Sequence, residues 1–297
     1  MRILTLVALV ALAATASAQR PLKVYISADM EGITGVASAE QLSPAGFEYN
    51  QARQWMTGEV IAAIQGAREA GATEFVISDS HGNGQSLLID RLPTDIPITV
   101  VRAFPRPLGM MEGIDSSFGA VIFIGYHAST SSLTGVRAHT MSSALLTRIA
   151  INGTSMPEAG VNAAIAAQFG VPVVMITGDD VIVADAQERF GPIEGVAVKH
   201  AIGFHSTATM LPEAAQALIR QRAKIAVGRR AEMKPYAMKK PLSLEVSFKN
   251  YRPVELLGYL SNVQRIDSHT VRYAAKDMID LSKFLEFVTN YDPTMTP

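Results

Sequence analysis

Short apolar runs alternating with stretches of helical periodicity constrain this chain more than any other feature. Lys23-Val24-Tyr25-Ile26-Ser27, Glu74-Phe75-Val76-Ile77-Ser78, Ile98-Thr99-Val100-Val101, Ala120-Val121-Ile122-Phe123-Ile124 and Val173-Val174-Met175-Ile176 each read as a buried strand. Residues 47–70 read as a helix, with Trp55, Val60, Ile61 and Ile64 near helical spacing and Gly71 as a stop. Pro157 to Phe169 reads as another, with Pro157 tolerated in its first turn. Strand runs that are apolar throughout belong to sheets covered on both faces, and strand–helix alternation builds them in parallel. The expected fold is therefore α/β, a largely parallel sheet flanked by helices. Leu145 to Ile151 reads as a further strand, followed by an Asn152-Gly153 turn.

The last third changes character and reads as a smaller C-terminal α+β lobe. Pro212 to Arg230 is a helix whose Arg220, Arg222, Lys224, Arg229 and Arg230 form a solvated face. A Pro- and Lys-containing linker, 235–241, precedes expected strands at 244–248 and 271–274 and a closing helix at 277–289. The expected division is a core, residues 19–235, that carries the chemistry, and a lobe, residues 236–297.

Residues 1–18 read as a signal peptide. Arg2 precedes an apolar stretch from Ile3 to Ala14, and Ala16-Ser17-Ala18 is an A-x-A site, so cleavage is expected after Ala18. The expected location is periplasmic or secreted, with no membrane contact after cleavage. The chain has no cysteine, so an exported form relies on core packing, metal or oligomerisation rather than disulfides. Its 297 residues, 48% of them hydrophobic, suffice for a sizeable core. A formal charge of −1 gives no sign of a nucleic-acid partner.

The chemistry-bearing residues gather at expected strand ends, where α/β folds place their ligands. Asp29 and Glu31 follow the first strand in Ser27-Ala28-Asp29-Met30-Glu31-Gly32. Two carboxylates that close are costly to bury without a cation, although a polar strand end accounts for the pair as well. His81 follows the second strand in Asp79-Ser80-His81-Gly82, with Asp79 a candidate to orient its ring; His127 follows the fourth in Gly125-Tyr126-His127. Carboxylates and imidazoles together suit zinc. His139 lies beyond a small-residue loop, 128–135, and suits a ligand, a general acid–base or a transition-state donor. Glu158, in a helix's first turn, complements the helix dipole. Asp179-Asp180 suits a cation, a substrate amine or a helix cap. His200, His205 and His269 read as structural or surface residues. From residues alone, a metal-dependent hydrolase such as an amidase or phosphoesterase, and a non-catalytic metal- or peptide-binding protein, both stay open.

The string Ser27-Ala28-Asp29-Met30-Glu31-Gly32-Ile33-Thr34-Gly35 resembles the start of the dipeptide-operon D-aminopeptidases, self-compartmentalising di-zinc metallopeptidases. Further matches follow in order: Asp79-Ser80-His81, Met111-Glu112-Gly113-Ile114-Asp115, Gly125-Tyr126-His127-Ala128, His139-Thr140-Met141, Glu158-Ala159-Gly160-Val161-Asn162-Ala163, Thr177-Gly178-Asp179-Asp180 and Ala275-Lys276-Asp277-Met278. The resemblance implies a zinc-dependent aminopeptidase acting on short, D-residue-containing peptides, with two zinc ions per subunit and a homo-oligomer, a decamer of two stacked rings. It implies Asp29 as the bridge between the metals, Glu31 and His127 on one zinc, His81 and Glu158 on the other, and His139 as the catalytic residue. Two departures stand out. The loop between His127 and His139 is one residue longer than the family pattern, and Phe204 stands where an arginine is expected.

Overall fold

The computed structural model describes residues 21–292; the expected signal peptide, 1–18, lies outside them. The chain begins with β1 (Leu22–Ala28), α1 (Tyr49–Glu69), β2 (Ala72–Asp79), β3 (Ile98–Val101) and β4 (Phe118–Tyr126). It continues through β5 (Leu146–Ile151), β6 (Thr154–Ser155), α2 (Glu158–Gln168), β7 (Val173–Asp179), α3 (Asp180–Phe190), β8 (Glu194–Gly203), β9 (Ser206–Thr209) and α4 (Pro212–Gly228). It ends with β10 (Leu242–Phe248), α5 (Tyr251–Leu257), β11 (Val263–Arg265), β12 (Thr270–Ala275) and α6 (Met278–Asn290). No helix among the described residues is long and apolar enough to cross a membrane.

The larger sheet has seven strands in the order β3-β2-β1-β4-β7-β8-β9, parallel except for β9. As expected from their unbroken apolar runs, β1, β4 and β7 are buried through most of their length. Helices α1 and α4 pack together against the sheet, and α2 packs on β4 with α6 against it. At one point the α1–α4 approach needs a glycine: a Cβ on Gly66 would stand 2.1 Å from the Arg220 carbonyl oxygen.

The strand order matters for the site. The chain runs outward from β1 through β2 to β3, then returns to place β4 on the other side of β1. That reversal is the topological switch where open α/β sheets form a crevice. In register, Ala28 of β1 faces Asp79 of β2 and Ile124 of β4. The residues that follow these strands therefore emerge side by side.

The second sheet is antiparallel, in the order β11-β12-β10-β5-β6. In β10 buried and half-buried positions alternate, as in a sheet packed on one face. Its strands come from two parts of the chain. The strand expected at 145–151 is present as β5, but it pairs with β10 at residues 242–248 rather than with the parallel sheet. The helix that Asp179-Asp180 could cap is present as α3, but the sequence pattern marks no strand over residues 191–209, where β8 and β9 lie. β8 carries Gly195, Ala197 and Lys199 among its valines, which weakens its strand pattern.

Candidate metal centre

The switch point gathers the expected residues. Asp29 and Glu31 leave β1, His81 leaves β2 and His127 leaves β4. Glu158 opens α2, and its Oε1 accepts a hydrogen bond from the Met141 amide at 2.7 Å. All five are buried. Glycines allow the close approach: a Cβ on Gly32 would lie 2.0 Å from the Tyr126 carbonyl oxygen, and one on Gly125 2.3 Å from that of Asp29.

Asp29 sits between two imidazoles. Its Oδ1 is 3.4 Å from His81 Nδ1 and its Oδ2 is 3.2 Å from His127 Nε2. On one side, Glu31 Oε2 is 2.9 Å from His81 Nδ1. On the other, Glu158 Oε2 is 3.3 Å from His127 Nε2, and Glu158 Oε1 is 3.8 Å from His139 Nε2. The His127 and His139 rings stack at 4.1 Å, 9° from parallel. The closest pairs thus differ from the division that the family resemblance implies: Glu31 lies on His81, and His127 on Glu158.

Each imidazole has one nitrogen committed to the backbone. Nε2 of His81 lies 2.8 Å from the Leu42 carbonyl, Nδ1 of His127 3.1 Å from that of Ala128, and Nδ1 of His139 2.8 Å from that of Arg137. Only an N–H can bond to a carbonyl, so in the neutral ring the other nitrogen is a bare acceptor. Those acceptors face carboxylate oxygens, which are acceptors too. Asp29 Oδ2 and His127 Nε2 are buried without a hydrogen-bond partner. Without metal, protons must fill the gap. Burial, and then Glu31's charge, push the Asp29 carboxyl up. Although burial disfavours its charge, Glu31 is held well below the usual carboxylate range by the adjacent His81. Against the same burial, Glu31 and Glu158 hold His81 and His127 well above the ordinary imidazole value. Three carboxylates and three imidazoles, in the groups Asp29, Glu31, His81 and His127, His139, Glu158, fit one or two divalent cations as a donor set.

Asp79, a candidate to orient His81, instead accepts from the Leu87 amide at 2.7 Å; the Leu42 carbonyl orients the ring. Asp179 is a helix cap: its Oδ1 accepts from the Ile182 amide at 2.9 Å and its Oδ2 from that of Val136 at 2.7 Å. His200 is exposed and pairs with Asp180 at 2.6 Å. The arginine expected at position 204 is absent there, but the Arg137 guanidinium lies 4.9 Å above the Phe204 ring.

Sequence reasoning missed two contributors. Lys199 of β8 is buried, and its ammonium donates to the carbonyls of Glu31, of Ile33 at 3.1 Å and of Val36 at 2.6 Å. Burial brings its pKa down to about 8. A lysine directly after Val196-Ala197-Val198 is the signal it left. The second contributor is α6, which brings Glu286, Thr289 and Asn290 to a cavity of about 250 Å³ over the cluster. Burial raises the Glu286 carboxyl to about 7.

Comparison with known proteins agrees with this geometry. A family model described as D-aminopeptidase, peptidase family M55, matches residues 22–287. A D-aminopeptidase of Bacillus subtilis (strain 168) is 30% identical over 260 residues, spanning 87% of this chain and 93% of the relative. The solved structure of the Zn-dependent D-aminopeptidase DppA from Bacillus subtilis, described as a self-compartmentalizing protease, superposes with a TM-score of 0.85 at 27% identity. That match covers 92% of this chain and all of the other. The chain belongs to the D-aminopeptidase family.

Proposed function

We propose that this member of the D-aminopeptidase family is an exported, zinc-dependent aminopeptidase that hydrolyses the N-terminal bond of short peptides, D-residue-containing ones among them. The observation that carries the reading is the convergence of Asp29, Glu31, His81, His127 and Glu158 in one buried pocket, with inward acceptors that lack donors. The relatives' names support zinc and D-aminopeptidase activity.

Asp29 stands between the two donor groups and is the residue placed to serve two ions. Glu31 and His81 would complete one position, and His127 and Glu158 the other. Zinc held there would activate a water molecule and polarise the scissile carbonyl. His139, anchored through Nδ1, presents Nε2 to the cavity and is placed to move a proton between water and the leaving amine. The α6 residues above the cluster restrict solvent and orient the peptide. Arg2, the apolar stretch after it and Ala16-Ser17-Ala18 support export. A self-compartmentalizing neighbour supports a homo-oligomer, with a decamer as the expected form.

The test is metal analysis of the purified protein, together with amino-acid release from dialanine in each stereochemical form. The reading expects about two zinc ions per subunit, as in two-metal hydrolases, and release that chelation abolishes. A zinc-loaded protein that releases no amino acid would be a binding protein instead. Phosphate release from a phosphomonoester, without peptide hydrolysis, would place it among other metal hydrolases. Native mass measures the assembly, and the mass of the mature N-terminus tests cleavage after Ala18.

A further inference from the structure

A second cavity, of about 260 Å³, adjoins the first. Glu31, His81 and His139 line both, so the second cavity opens onto that edge of the metal cluster. Arg137 and Phe204 also line the second cavity. Among its lining residues Arg137 is the single permanent cation.

Nothing in the described structure neutralises that guanidinium. Its Nε is buried without a hydrogen-bond partner. Glu31 and Glu158 are engaged with His81 and His127. Glu40 feels the charge but is exposed and makes no ion pair with it among the described residues. The residue is nevertheless firmly placed. Its amide donates to the Phe204 carbonyl at 3.0 Å, its own carbonyl bonds to His139 Nδ1, and its guanidinium lies over the Phe204 ring. Its φ of 53° is left-handed, a conformation that a non-glycine residue keeps only where its surroundings enforce it. Stacking on an aromatic face leaves the guanidinium edge, with its paired N–H donors, free for a planar anion.

We propose that Arg137 anchors the carboxylate at the far end of the peptide whose N-terminal bond is cleaved at the metal cluster. The substrate class is then short peptides with a free carboxy terminus. This assignment rests on the aminopeptidase reading. A cavity just below the usual range of ligand-pocket volumes holds roughly one or two residues beyond the scissile bond. Linkage through the Arg137 carbonyl to His139 ties carboxylate capture to the placement of the proton-moving group.

The experiment compares dialanine in each stereochemical form, as free acid and as carboxamide, on zinc-loaded wild-type, Arg137→Met and Arg137→Lys proteins. For the wild type, kcat/KM should favour the free acid by about 10- to 100-fold, the range for a charge-assisted hydrogen bond. In Arg137→Met the ratio should fall toward one through a rise in KM for the acid. Arg137→Lys, which retains charge without the fork, should be intermediate. An unchanged ratio in Arg137→Met, or no acid preference in the wild type, overturns the assignment. If the zinc-loaded wild type cleaves neither form, the aminopeptidase reading itself has failed, and this assignment with it.

Discussion

The buried ammonium of Lys199 donates a hydrogen bond to the main-chain carbonyl of Glu31. It ties the parallel sheet's penultimate strand to the loop that carries two of the five proposed metal donors. The same ammonium also bonds to the carbonyls of Ile33 and Val36, so one side chain sets the path of the loop.

Lys199→Met removes all three bonds and leaves three inward carbonyls without this donor. Freed of its tether, Glu31 should lose aim, as metal ligands do when their supporting partners are removed. Zinc affinity should fall about 10- to 100-fold. Competition with a chromogenic chelator measures it, and unchanged affinity would show that other contacts hold the loop.

His81 and His139 should separate in their effects. His81 is closest to Glu31 and Asp29, so His81→Ala should lose metal. His139 touches the cluster only at 3.8 Å from Glu158 and by stacking on His127. His139→Ala should retain zinc and lose roughly 10²- to 10⁴-fold in kcat, the range for general acid–base groups. Metal loss in both variants would instead make His139 a ligand.

Glu59 on α1 should make stability depend on pH. Its Oε1 accepts from the Thr34 amide at 2.8 Å while Oε2 is buried without a partner. Burial raises its pKa from the ordinary 4.5 to about 8. The folded state then holds a proton that the unfolded state has released. That contribution is complete below about pH 4.5 and is lost as pH rises toward 8. Melting temperature measured across this window should fall less in Glu59→Gln than in the wild type, with a gap of about 2–4 °C for each kcal/mol. Parallel curves would refute the burial argument.

Gly32→Ala should be severe for its size. The added methyl meets main-chain atoms of Gly125 and Tyr126, which cannot move without shifting β4 and His127. A loss of roughly 2–4 kcal/mol in urea unfolding is expected, well beyond a surface substitution. A loss below about 0.5 kcal/mol, the surface-substitution range, would mean that the strand ends yield more readily than their packing implies.

The parallel sheet and the strand ends bearing Asp29, Glu31, His81 and His127 were determined by the sequence alone. A strand covered on both faces must be apolar throughout, so its polar end is conspicuous. Local pattern could not reveal how distant segments meet. Glu158 serves its own helix in any local reading, and only the packing of α2 beside β4 turns it toward His127. Pairing of β5 with β10, across about ninety residues of chain, depends on which edge its backbone donors find. The three carbonyls gathered by Lys199, and the cavity left open beside Arg137, exist only once β1, β8 and the 128–145 loop are packed together. Burial and hydrogen-bond completion across the fold, rather than any local preference, decide them.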